Sequence, residues 1–156
     1  MDVKIDISEN IRFVDKDSIL GVATDKGDYK KHICLYSRVK KRIKKYSNKI
    51  AQIHSILIFL LIKDDVQNYT SIQICKDASP VKIFNCLRKL FGKNEDWIKL
   101  EKNKAIKIKP VRNAYVDKYV RKIRCNKHLH ENKELISVKL IQDYLLILEN
   151  KGKGST

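Results

Sequence analysis

The chain has 156 residues, 43% of them hydrophobic, and sets 34 Lys and Arg against 18 Asp and Glu, a formal net charge of +16. The length suits one domain with one sizeable core, and the apolar share excludes wholesale disorder. The charge points to polyanionic partners, nucleic acid (RNA or DNA) first and an anionic membrane surface or an acidic protein second, while the longest apolar run, Ile56 to Ile62, falls far short of the roughly 20 residues of a membrane span.

In chain order, Val3, Ile5 and Ile7 alternate with Lys4, Asp6 and Ser8, the period of a strand. A second apolar run, Ile19 to Thr24, leads through Asp25-Lys26-Gly27-Asp28 into a third, His32 to Tyr36. A glycine in a short polar link between apolar runs signals a hairpin. The chain therefore opens on a three-stranded antiparallel meander. From Val39 the period lengthens. Ile43, Tyr46, Ile50, Ile53, Leu57 and Leu60 recur at threes and fours, which marks one face of a long helix. Its first part is basic and its last part is apolar nearly all round, so the last part is expected to be buried. Asp64-Asp65 end it, and Tyr69 to Cys75 reads as a fourth strand.

Ser79-Pro80 starts the next helix, because Ser can accept from free backbone N–H groups and Pro suits the first helical position. Val81, Phe84, Leu87, Leu90 and Phe91 form its apolar face, and Gly92 closes it. A polar stretch at Asn94-Glu95-Asp96 follows. Ala105 to Lys109 alternates as a fifth strand before Pro110. Two helical segments finish the chain. Tyr115, Val116, Tyr119, Val120 and Ile123 mark one, and Leu135, Val138, Ile141, Leu145 and Leu148 mark the other. Residues 151–156 read as a flexible tail. The expectation is one α/β domain over residues 1–150, a mixed five-stranded sheet with an antiparallel N-terminal meander and flanking helices. Cys34, Cys75 and Cys86 sit among apolar residues, and Cys125 is far from all three, which suits buried free thiols in a reducing compartment. With charged residues at the start, the expectation is a soluble cytoplasmic protein.

Two strands end alike. Asp6-Ile7-Ser8 closes the first, and Asp77-Ala78-Ser79 follows the fourth. A helical crossover out of the meander can lay the fourth strand parallel to the first, which brings the two acids close together. Carboxylates about 4 Å apart repel by about 4 kcal/mol at an effective dielectric near 20. Such a pair shares a proton or recruits a cation, and Mg²⁺ favours a few carboxylates together with phosphate oxygens. The alternative puts Asp6 on the solvent face of an edge strand beside Lys4 and makes Asp77 a turn residue at a helix start.

The element order with these two acids resembles the ribonuclease-H-like superfamily over roughly residues 3 to 109. The resemblance implies a catalytic Asp on the first strand, here Asp6, and a second after the fourth, here Asp77. It also implies phosphodiester cleavage with Mg²⁺ or Mn²⁺. Ribonucleases H carry a Glu on the first long helix, and residues 40–62 contain no acid. Resolvase-like and integrase-like branches take a later carboxylate from a C-terminal helix, where Asp143 or Glu134 stands. The missing helix acid equally suits a non-catalytic nucleic-acid-binding module, or a basic interaction subunit of a ribonucleoprotein.

Two basic clusters are candidate nucleic-acid contacts. Lys40, Lys41, Arg42, Lys44 and Lys45 sit at a helix start, where positive charge opposes the helix dipole. Arg112, Lys118, Arg121, Lys122 and Arg124 surround Tyr115 and Tyr119. Cations neutralise phosphates and tyrosines stack on unpaired bases, although both tyrosines also suit a helix core. Cys125, His128 and His130 offer three zinc ligands where a structural site usually needs four. His54, beside the apolar face of the long helix, reads as a partly buried histidine.

Overall fold

The computed structural model describes residues 1–132 and 135–153. The meander forms as the alternation predicts: β1 (Asp2–Ser8), β2 (Ser18–Ala23) and β3 (Lys30–Leu35) pair antiparallel. Gly27 turns the β2–β3 link with a positive φ of 73°, and a Cβ there would lie 2.4 Å from the Tyr115 ring. Glycine is therefore required both by the backbone and by the neighbour. β4 (Ser71–Ile74) runs parallel to β1, and β5 (Ile106–Ile108) parallel to β4, which gives the sheet order β3-β2-β1-β4-β5.

The expected long helix is broken. α1 (Ser37–Arg42) gives way to a 3₁₀ turn, Lys44–Lys49, in which Tyr46 is non-helical, and α2 (Ile50–Ile62) follows. Lys40 and Lys44, Lys41 and Lys45, and Lys45 and Lys49 are like charges four residues apart, a spacing that destabilises a continuous helix. α2 is buried as its composition demands, with Ile53, Ile56, Leu57, Ile58, Leu61 and Ile62 all in the main core. α3 (Pro80–Phe91) packs beside it. α4 (Glu95–Lys102) forms where only a polar stretch is expected. Its signals are local: Asn94 caps it by accepting from the Trp97 N–H at 2.9 Å, and Glu95 and Asp96 face the dipole. Trp97 then stacks on Phe91 at 4.3 Å.

α5 (Tyr115–Cys125) and α6 (Val138–Lys153) complete the chain. α6 starts three residues later than Leu135, which is exposed, because the Ser137 hydroxyl accepts from the Leu140 N–H at 3.1 Å. It runs through Lys153, so the expected tail is helical over residues 151–153, and residues 154–156 lie outside the described residues. Among the described residues, no helix is long and apolar enough to cross a membrane.

The two faces of the sheet are covered differently. α2, α3 and α6 pack on the face that carries Val3, Ile5, Leu20 and Val22. α5 crosses β1 and β2 on the other face, over Ile19, Ala23 and Cys34. It comes very close at Gly21, where a Cβ would stand 2.5 Å from Val120 Cγ1. Gly21→Ala is expected to destabilise the fold by about 1–3 kcal/mol through overpacking, measured as a lowered midpoint in denaturant with an unchanged slope.

Candidate active site

β1 is a central strand, so Asp6 is not on an edge, and Lys4 pairs with Asp25 at 3.0 Å instead. The parallel register sets Ile5 beside Ile74, and the Cys75 N–H bonds to the Ile5 carbonyl at 3.0 Å. Asp6, Cys75 and Asp77 are thereby gathered at the carboxyl ends of two neighbouring strands. One carboxylate oxygen of each acid and the Cys75 sulfur lie within 4.8 Å of one another. Asp77 is exposed, whereas Asp6 is only 8% exposed.

A third carboxylate arrives from α5. Asp117 acts on Asp6 both by charge and by a side-chain hydrogen bond. On α5, Asp117, Arg121 and Arg124 follow at four and three residues, so they share one flank. Arg121 bonds Asp117 at 2.8 Å, and Arg124 pairs with Glu9 just past β1. Burial pushes the Asp6 carboxyl up to about 7. The charges of Asp117 and Asp77 push the same way, and a bond from the Ile7 N–H partly offsets them. Ser8, on the same face of β1 as Asp6, has a buried hydroxyl with no hydrogen bond among the described residues.

Behind the acids sits His54 of α2, 2% exposed, with Nε2 3.9 Å from Cys75 Sγ. Burial pulls its pKa down to about 4, against the nearby charge of Asp77, so the ring is neutral at physiological pH. Burial also raises the Cys75 thiol well above its ordinary value, and the two acids add to that. A neutral thiol beside a neutral imidazole is not an activated nucleophile. His54 is thus fully buried rather than partly buried.

The other sequence candidates separate. Asp143 is exposed on α6, which packs on α2 and α3 against the opposite face of the sheet from Asp6, so it does not join the pair. Glu134 lies outside the described residues. Lys40 is 1% exposed, and its ammonium donates to the carbonyls of Lys16 at 2.7 Å, Phe13 at 3.0 Å and Asn10 at 3.4 Å. It is spent on closing the loop after β1 and is not presented to a phosphate. Lys40→Met is expected to cost about 1–3 kcal/mol in a denaturant titration, because the Lys16 carbonyl loses its donor, whereas Lys41→Met is expected to cost under about 0.5 kcal/mol.

Lys41, Arg42, Lys44 and Lys45 are exposed. They follow β3, which runs parallel to β1, so they lie at the same end of the sheet as the acids. Arg112, Lys118, Arg121 and Lys122 are exposed around α5, and Arg124 is half-buried in its pair with Glu9. Tyr115 and Tyr119 are neither core nor free. Their rings stack at 6.3 Å on the flank of α5 away from Asp117, under the Lys30 ammonium, and with Lys118 and Lys122 they line an open groove.

Sequence reasoning missed Asp117. Its signal was that it is the one acid in the segment 115–125, a helix otherwise rich in Lys and Arg. No family model, curated protein or solved structure matches the chain.

Proposed function

We propose that the protein is a metal-dependent nuclease of ribonuclease-H-like type, with Asp6, Asp77 and Asp117 as the metal-binding acids. The observation that carries this reading is that Asp6 of β1 lies beside Asp77 from the link after β4 and also feels the charge of Asp117 of α5. The parallel pairing of β1, which holds Asp6, with β4, which Asp77 follows, supports it. So does a third acid from a helix late in the chain, where resolvase-like and integrase-like branches carry one, and Asp117 takes the place expected of Asp143.

The donors suit Mg²⁺ or Mn²⁺: three carboxylates, one of them buried and strained by its neighbours' charge, with the Ser8 hydroxyl, unpaired among the described residues, on the same strand face. Bound there, such an ion would supply positive charge to phosphate oxygens and acidify a water. The chain's own groups do the rest. Asp6, titrating near neutrality, can hold a proton that a cation would displace. Arg121 steadies Asp117. Lys41, Arg42, Lys44 and Lys45 at the same sheet end, and Arg112, Lys118 and Lys122 around α5, draw the phosphate backbone toward the acids. Tyr115 and Tyr119 offer ring faces beside them.

A second reading, a non-catalytic nucleic-acid-binding module, is favoured by one observation: α2 brings the neutral His54 to the site where a ribonuclease H would bring a Glu. The deciding experiment incubates the protein with Mn²⁺ or Mg²⁺ and single- and double-stranded RNA and DNA and an RNA–DNA hybrid. Metal-dependent cleavage of any of them supports the nuclease. Salt-sensitive binding of all of them without cleavage supports the module. Salt-insensitive binding, or none, counts against both and leaves an acidic protein surface as the partner.

A further inference from the structure

A second cluster of metal-ligating side chains lies on the same sheet face but at the β3 edge. Asp17 precedes β2, Cys34 is in β3, and His130 follows the 3₁₀ turn Lys127–Leu129 after α5. One donor atom from each lies within 4.8 Å of the others. Of the sequence trio Cys125, His128 and His130, only His130 turns inward; the other two are exposed.

Each of the three is fixed from behind in the way metal ligands are. His130 Nε2 donates to the Arg124 carbonyl at 3.0 Å, which leaves Nδ1 directed at Asp17 Oδ2, 3.1 Å away. Asp17 Oδ1 accepts from the Ser37 N–H at 2.7 Å, which leaves Oδ2 for the cluster. The Cys34 backbone is held on both sides by the Asn132 side chain, its N–H at 2.6 Å and its carbonyl at 2.8 Å. Tyr36 donates to the His130 carbonyl. Both His130 nitrogens face oxygen atoms, Nε2 the Arg124 carbonyl and Nδ1 the Asp17 carboxylate. A cation between Nδ1 and Asp17 would be met by the Nδ1 lone pair and the Asp17 oxygen together.

We propose that Asp17, Cys34 and His130 bind a zinc ion that ties the loop after β1 and the segment after α5 to the edge of the sheet. One sulfur, one nitrogen and one oxygen form a borderline-soft set that suits Zn²⁺ and disfavours Mg²⁺. In a tetrahedral zinc site the donors stand about 3.3–3.8 Å apart. The Asp17–His130 distance is already shorter than that, and side-chain rotation can close the rest. Water takes the fourth position on the Asp17 side, where that side chain is 26% exposed. The zinc site is independent of the nuclease reading.

The test loads chelator-stripped protein with Co²⁺, which reports a thiolate ligand by a near-ultraviolet charge-transfer band and tetrahedral geometry by visible bands. Wild type is expected to show both at one equivalent, and Zn²⁺ to displace them. Cys34→Ser is expected to lose the charge-transfer band, while Cys75→Ser, at the other cluster, keeps it. Asp17→Asn, which retains an acceptor for Ser37, is expected to weaken Co²⁺ binding about 10–100-fold and serves if Cys34→Ser does not fold. The proposal is overturned if wild type shows no bands, if Cys34→Ser keeps the charge-transfer band, or if Asp17→Asn binds as wild type does.

Discussion

Asp117→Asn is expected to lower metal-dependent cleavage by at least about 100-fold, while Asp143→Asn leaves it within about twofold. The first figure follows from the several kcal/mol that a positioned divalent ion contributes, at about 1.4 kcal/mol per tenfold in rate. The second follows from the position of Asp143, exposed on α6 across the sheet from the acids, where a substitution shifts energies by under about 0.5 kcal/mol. Asn keeps the size of the Asp117 side chain and gives up a charge whose partner Arg121 is mostly exposed and which repels its neighbour Asp6, so the fold should be little affected. The measurement is initial cleavage rate against Mn²⁺ concentration for both variants and wild type on whichever substrate is cut. A nuclease whose rate survives Asp117→Asn but collapses in Asp143→Asn would reverse the assignment of the third acid.

Asp6→Asn is expected to make the metal-free protein more stable at pH 8 while removing its activity. Asp6 titrates near 7 in the fold against 3.8 for an ordinary Asp. Between about pH 4 and pH 7 the folded chain keeps a proton that the unfolded chain has released. Stability contributed by this group is therefore present at low pH and lost as pH rises through that window. The full penalty above pH 7 is on the order of 4 kcal/mol. Asn carries no charge to bury, its oxygen can still accept from the Ile7 N–H, and its amide can donate to Asp117. A gain of about 2–4 kcal/mol at pH 8 should raise the Tm by roughly 5–10 °C, shrinking toward nothing at pH 4. Mg²⁺ or Mn²⁺ should raise the Tm of wild type at pH 8 and leave that of the variant unchanged. Parallel pH profiles for the two proteins would show that Asp6 is not the strained acid.

Much of the fold is legible in the sequence because it is written in local pattern. The alternation of Val3, Ile5 and Ile7, the Gly27 link, the apolar run of α2, and the Pro80 and Gly92 boundaries of α3 each act over a few residues, and each element forms where it is expected. Two miss for local reasons too. α4 has only Trp97 and Leu100 as buried anchors, too few to show a period, and the α1–α2 break follows from like charges that an apolar periodicity does not register.

What the sequence determined by itself was the five strands and most of the helices, the strong positive charge, and two acids near the ends of apolar strands. Tertiary structure alone decided which groups meet. Parallel pairing of β1 with β4 joins Asp6 to Asp77 across a separation of about 70 residues, and the packing of α5 at Gly21 delivers Asp117. The same packing decisions turn Lys40 inward onto three carbonyls, set His54 behind Cys75, and draw His130 to Asp17 and Cys34. A side chain's type is fixed by its codon, but its burial, charge and partners depend on which segments the core brings against it, and no short window of sequence contains both sides of such a contact.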